Sequence, residues 1–153
     1  MWAIQCAFVI FTYWQITRNK ELQKSVLVIE DSPSQAALTR IELEKMGYLV
    51  EIAYDGAQGL EKARSFGPSV IILDCNLPKM SGVEVCKVLK TQPETRSTPV
   101  VMFSAENKLA QMSSAYSAGA DFYVTKDREG SNSLPKLVEA CYQRRLRQTR
   151  RAI

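Results

Sequence analysis

Glu30 and Asp31, Asp74, Ser104 and Lys126 are the residues of this chain whose types could do chemistry together. Each follows a short apolar run: Glu30 and Asp31 follow Val26 to Ile29, Asp74 follows Val70 to Leu73, Ser104 follows Val100 to Phe103, and Lys126 closes the run around Phe122 to Val124. Clustered carboxylates repel one another, and a hard divalent cation holds them ionised together. Mg²⁺ suits them, because it takes carboxylate, carbonyl and water oxygens in octahedral geometry. A carboxylate can also attack phosphorus and form an acyl phosphate. A phosphoryl group in transfer spreads negative charge over its oxygens, so a metal, an ammonium and a hydroxyl should surround it. On this reading Asp74 is the acceptor, Lys126 the ammonium and Ser104 the hydroxyl. Singly these residues are ordinary, since Asp74 or Asp31 could cap a loop or helix and Lys126 could be a surface lysine. The signal lies in their joint placement.

Other chemistries are excluded. The chain has no histidine, which removes Ser-His-Asp and Cys-His catalysis, His-ligated zinc and any phosphohistidine of its own. The four cysteines, Cys6, Cys75, Cys86 and Cys141, form no C-x-x-C pair, and a disulfide framework is not expected. Aspartate-nucleophile phosphatases share the Mg²⁺ site, but they carry a second aspartate two residues after the nucleophile. Here that position is Asn76, which cannot transfer a proton. The chain is therefore expected to act on itself and not to turn over an outside substrate. A phosphorylation-independent adaptor on the same fold is the other alternative.

The elements that must position these residues follow from the apolar pattern. The runs at Val26–Ile29, Val70–Leu73 and Val100–Phe103 are short and rich in β-branched residues, so they read as strands buried on both faces. Leu49–Ala53 and Phe122–Val124 read as two shorter strands. Between them lie helical spacings. Ala37, Leu38 and Ile41 share a face, as do Ala57, Leu60 and Ala63, then Val85, Val88 and Leu89, then Met112, Ala115 and Tyr116. Leu134, Leu137, Val138 and Cys141 form the cleanest stripe. Ser32-Pro33 places a cap before a first-turn proline, and Gly47 suits the left-handed residue after the first helix. Five strands alternating with five helices predict an α/β fold with a parallel sheet covered on both faces. In such sheets ligands bind outside the carboxyl ends of the strands, which is where the candidate residues fall.

Four segments carry a family resemblance. VLVIEDSPS from Val26, IILDCNLPKMSG from Ile71, VVMFSAE from Val100 and AGADFYVTK from Ala118 together resemble a response regulator receiver domain of the CheY type, from about Ser25 to Cys141. The resemblance implies a flavodoxin-like, doubly wound sheet of order 2-1-3-4-5 with five helices. It implies a phosphoryl-accepting switch in a His-to-Asp phosphorelay, with Asp74 phosphorylated and Mg²⁺ held by Glu30, Asp31, Asp74 and the backbone carbonyl of Asn76. By the same matching Ser104 and Tyr123 form the switch pair, with Tyr123 moving inward when the Ser104 hydroxyl turns toward the phosphoryl group. The family usually places proline after the lysine, whereas this chain has Asp127. A cis bond there would cost roughly 2.5–4 kcal/mol without proline, so the loop is either trans or strained.

The expected organisation is an apolar extension at 1–24, the receiver region at 25–143 and a basic tail at 144–153. The net charge of +4 is local, because five arginines (Arg144, Arg145, Arg147, Arg150, Arg151) crowd that tail without an acid among them. Direct nucleic-acid binding is therefore not expected. The expected partners are a sensor histidine kinase or phosphotransfer protein and a downstream effector protein. Trp2 to Ile16 is nearly all apolar, yet shorter than the roughly 20 residues of a spanning helix. It reads as a membrane-associating segment, an added helix or a misassigned start. With the arginine tail it suggests a cytoplasmic protein docked at the inner membrane face.

Overall fold

The computed structural model describes residues 9–10 and 23–151. Five strands and five helices alternate over residues 25–151: β1 (Ser25–Ile29), α1 (Pro33–Lys45), β2 (Leu49–Ala53), α2 (Gly56–Phe66), β3 (Val70–Leu73), α3 (Gly82–Thr91), β4 (Val100–Ser104), α4 (Leu109–Ser117), β5 (Phe122–Thr125) and α5 (Arg128–Arg151). The strands form one parallel sheet in the order β2-β1-β3-β4-β5. This is the doubly wound order expected from the four motifs. The apolar N-terminal stretch, apart from Val9 and Ile10, lies outside the described residues.

The continuous apolar runs are explained by burial on both sides. In β1 all five residues are buried, and in β3 all four. Alternate side chains go to opposite layers. Leu27, Ile29, Ile71, Leu73 and Met102 pack with Ala63, Val85, Leu89 and Ala115 under α2, α3 and α4. Val26, Val28, Val70, Ile72 and Val101 pack with Ala36, Leu43, Leu134 and Val138 under α1 and α5. Each such side chain contributes roughly 1.5–3 kcal/mol by leaving water, so the central strands are the rigid base of the molecule.

The predicted caps are present. Ser32 caps α1 with Pro33 in the first turn, and Gly47 follows with φ of +82°. Ser81 and Glu84 form a reciprocal capping box at α3. The face expected for α1 is corrected. Ala36, Thr39 and Leu43 are buried, while Leu38 is 65% and Ile41 49% exposed. The apolar spacing of Ala37, Leu38 and Ile41 is genuine but points outward, because the helix docks one residue round from that stripe, with a threonine in its buried row. Ala57 and Tyr116 are likewise exposed, while Ala63 and Ala115 on the same stripes are buried. The α5 helix continues unbroken to Arg151, so the described part of the basic tail is helical.

Candidate phosphoryl-transfer site

Chain order reverses between β1 and β3, and the crevice of a doubly wound sheet opens at that point. The register pairs Ile29 with Leu73, so Glu30 and Asp74 leave adjacent strands side by side. Glu30 and Asp74 are 5% and 6% exposed, and Asp31 is exposed at the rim. Carboxylate oxygens of Glu30, Asp31 and Asp74 all lie within 4.8 Å of one another.

Lys126 reaches this cluster from the end of β5. Its Nζ donates to Asp74 Oδ2 at 2.6 Å, to Glu30 Oε2 at 2.5 Å and to Gln35 Oε1 at 2.8 Å. Burial alone would lower the pKa of the amine, but the bonds to Asp74 and Glu30 outweigh it and hold Lys126 above its ordinary value. Burial pushes the Glu30 carboxyl up, against the bonds from Lys126 and from the Ser32 N–H. One ammonium faces three carboxylates, which leaves an excess of negative charge among hard oxygen donors. That donor set fits a divalent cation such as Mg²⁺.

The loop after Asp74 is held to the Asp74 carboxylate. The Asn76 N–H donates to Asp74 Oδ1 at 3.0 Å, and the Gly82 N–H to the Cys75 carbonyl at 2.9 Å. A side chain at Gly82 would overlap the Asp74 carbonyl oxygen, so only glycine lets α3 begin this close to the end of β3. Lys79, at φ +67°, turns the loop.

Ser104 and Tyr123 share a partner in the Glu106 backbone. The Ser104 hydroxyl, fully buried, accepts from the Glu106 N–H at 3.2 Å. The Tyr123 hydroxyl donates to the Glu106 carbonyl at 2.7 Å, with the Cys75 sulfur 3.9 Å away. Burial raises the Tyr123 phenol to about 12, so it stays a donor at ordinary pH. The structure thus brings Glu30, Asp31, Asp74 and Lys126 together, and places Ser104 and Tyr123 on the two sides of the Glu106 backbone. Sequence reading missed Gln35 and Glu106. Gln35 was findable, because it lies in the first turn of the helix that starts at this edge. Glu106 was not, because it acts through its backbone.

Asp127 also acquires a role. No cis peptide bond occurs among the described residues, so the Lys126–Asp127 bond is trans. Asp127 Oδ1 accepts from the Gly130 N–H at 2.7 Å, and Oδ2 from the Thr125 hydroxyl at 2.5 Å. It caps α5 at the position where the resembled family has proline. Those bonds, Thr125 foremost, hold its carboxyl below the usual range.

Comparison with known proteins gives a consistent result. A family profile for the response regulator receiver domain matches residues 26–139. Alkaline phosphatase synthesis transcriptional regulatory protein PhoP of Bacillus subtilis (strain 168) is 38% identical over 105 residues, which is 69% of this chain and 43% of PhoP. DNA-binding dual master transcriptional regulator RpaA of Synechocystis is 38% identical over 101 residues, 66% of this chain and 42% of RpaA. Among solved structures, a signal receiver domain of a signal transduction histidine kinase from Syntrophus aciditrophicus superposes with a TM-score of 0.72 at 29% identity, covering 78% of this chain and 90% of that one. The receiver domain of sensor histidine kinase PA1611 from Pseudomonas aeruginosa, solved with a magnesium ion in its active site cleft, shares the fold at a TM-score of 0.72 and 22% identity, over 79% of this chain and 98% of that one.

The chain spans less than half the length of these curated relatives. They also correct the expectation of no direct nucleic-acid binding. PhoP and RpaA are named as transcriptional regulators, and RpaA as DNA-binding. The near-neutral charge of the folded body carried that expectation, and charge over one domain does not report on contacts made elsewhere in a longer regulator. No helix of the described residues is long and apolar enough to cross a membrane.

Proposed function

This chain belongs to the response regulator receiver domain family, the phosphoryl-accepting switches of two-component signalling, and from that premise we propose that Asp74 is its acceptor and Lys126 its phosphoryl-binding cation. The observation that carries the reading is the bridge from Lys126 Nζ to both Asp74 Oδ2 and Glu30 Oε2 beside the exposed Asp31. An Asp74 carboxylate oxygen attacks phosphorus, the bond from phosphorus to the donor's oxygen or nitrogen breaks, and the leaving group takes that electron pair. The product is a mixed anhydride on Asp74. Asn76 N–H and Lys126 fix the two carboxylate oxygens beforehand, so little reorganisation accompanies attack. Mg²⁺ held by Glu30, Asp31, Asp74 and the Asn76 carbonyl would supply the positive charge that the phosphoryl oxygens need.

Ser104 is the link to the rest of the molecule. When its hydroxyl turns to donate to a phosphoryl oxygen, it releases the Glu106 N–H, and Tyr123 loses its fixed acceptor on the same residue. The two states then differ in their contacts with the phosphoryl group, as a population shift requires. The chain acts only on its own carboxylate and turns over nothing else.

The test is acetyl phosphate with Mg²⁺, read by intact mass. Wild-type protein should gain one labile phosphoryl group and the Asp74→Asn variant none, with its fold unchanged. Undiminished labelling of Asp74→Asn would overturn the assignment. Repeated hydrolysis of an outside phosphate monoester would favour the phosphatase reading.

A further inference from the structure

At the sheet edge opposite Asp74, a cleft of about 470 Å³ opens between the loop before β4, the start of β5 and the last turns of α5. Its size suits a small ligand. Lys90, Arg96, Arg144, Arg145 and Arg147 line it, with Asp121 as the acid in the wall. Asp121 is already engaged, because its Oδ2 accepts from Lys90 Nζ at 2.8 Å and from the Val100 N–H at 2.9 Å. Arg145 folds into the wall, donating to the Pro68 carbonyl and the Thr98 hydroxyl, both at 2.9 Å. Arg96, Arg144 and Arg147 are exposed, and no salt bridge within 4.0 Å engages their side chains among the described residues.

The bland explanation is that arginines near a helix C-terminus complement its dipole. It covers Arg144 and Arg147, three apart on one face of α5. It does not cover Arg96, which comes from another element, or the concavity between them. Phe122 adds an apolar wall, since it packs partly on the core and partly lines the cleft. Guanidinium forks match phosphate oxygens in pairs, and an aromatic face accepts a flat ring. A concave, one-ring site suits a small molecule better than an extended strand.

We propose that this cleft binds a nucleotide, with its phosphates on Arg96, Arg144 and Arg147 and its base against Phe122. The site is separate from Asp74 and stands or falls independently of the acceptor assignment. Calorimetric titration of the full chain with ATP, in EDTA at near-physiological salt, tests it, because EDTA withholds the cation that the acidic site would need to capture phosphates. Saturable binding at one site is expected. Arg144→Ala with Arg147→Ala should weaken it at least tenfold, and Arg96→Ala should weaken it from the other wall. Lys136→Ala, on an exposed part of α5 outside the cleft, should leave it unchanged, and thermal melts should show all variants folded. Inorganic tripolyphosphate, which has the same three phosphates and no nucleoside, should bind more weakly than ATP, which reports the ring contact. Absence of saturable ATP binding, or indifference to both arginine substitutions, would overturn the site. Equal binding of tripolyphosphate would overturn the nucleotide class. So would affinity found only for a single-stranded oligonucleotide and rising with its length.

Discussion

Lys126 has three donor hydrogens and meets three acceptors, on Asp74, Glu30 and Gln35. Its charge is what lets two buried carboxylates lie side by side, since an unpaired buried charge is costly. Lys126→Ala should slow labelling by acetyl phosphate by at least roughly tenfold, because the charge proposed to meet the transferring group is lost. Single-turnover kinetics checks this, and an unchanged rate would remove Lys126 from the mechanism. Asp31 differs, being exposed at the rim with no lysine bond. Asp31→Ala should weaken Mg²⁺ by at least about tenfold, the lower end of what disturbing a metal site costs, while the labelled residue stays Asp74. Calorimetry with Mg²⁺ alone decides it. The types and order of these residues were legible in the sequence, because each follows an apolar run. Gln35 could be placed at this edge from the first turn of α1, but its bond to Lys126 and that of Ser104 to the Glu106 backbone could not be read, because those depend on how α1 and the loop after β4 settle.

At the scale of elements, two junctions carry the site. The first is the start of α3, where Gly82 lies against the Asp74 carbonyl. Gly82→Ala should cost about 2–3 kcal/mol, at the upper end for overpacking, since backbone on both sides must move. Urea denaturation midpoints measure this, and a loss under half a kcal/mol would show that the loop yields easily. The second is the start of α5, where Asp127 caps the helix one residue after Lys126. Asp127→Ala should lower the melting temperature and also slow phosphorylation, because the turn that aims Lys126 loses its anchor; Asp127→Asn should restore much of both. A melting shift with no kinetic effect would separate the cap from the site. The cap Ser32-Pro33 was readable locally, as caps generally are. The buried face of α1 was not, because the exposed Leu38 and Ile41 give as good a stripe as the buried Ala36, Thr39 and Leu43.

Over the whole molecule, α5 is tied back to the entry of the chain. Glu139 accepts from Tyr48 at 2.7 Å and Gln143 at 2.9 Å and pairs with Lys24 at 2.9 Å, while Lys24 lies 4.6 Å over the Tyr48 ring. The bonds from Gln143 and Tyr48 hold the Glu139 carboxyl down to about 2, against an ordinary 4.5. A carboxyl depressed on folding stabilises fully above its unfolded value, and that contribution is lost as pH falls from about 4.5 through about 2. Glu139→Gln should therefore be less stable than wild type at pH 7, with the gap closing across that window. Denaturant midpoints at pH 7, 5, 4 and 3 test it, and a gap independent of pH would assign the loss to packing.

The sequence by itself determined the fold class, the strand positions within a residue or so and the set of acidic, hydroxyl and amine groups at the strand ends. These follow from local causes: burial on both faces demands continuous β-branched runs, and a parallel sheet puts whatever follows each run at one edge. Only the tertiary structure decided which oxygen of Asp74 faces Lys126, that Ser104 and Tyr123 both bond to the Glu106 backbone, and that Asp127 caps α5 where the family has proline. It alone also gathered Arg96 with Arg144 and Arg147, which lie far apart in the chain. Those outcomes depend on distances between separate elements, and no local pattern encodes a distance across the sheet.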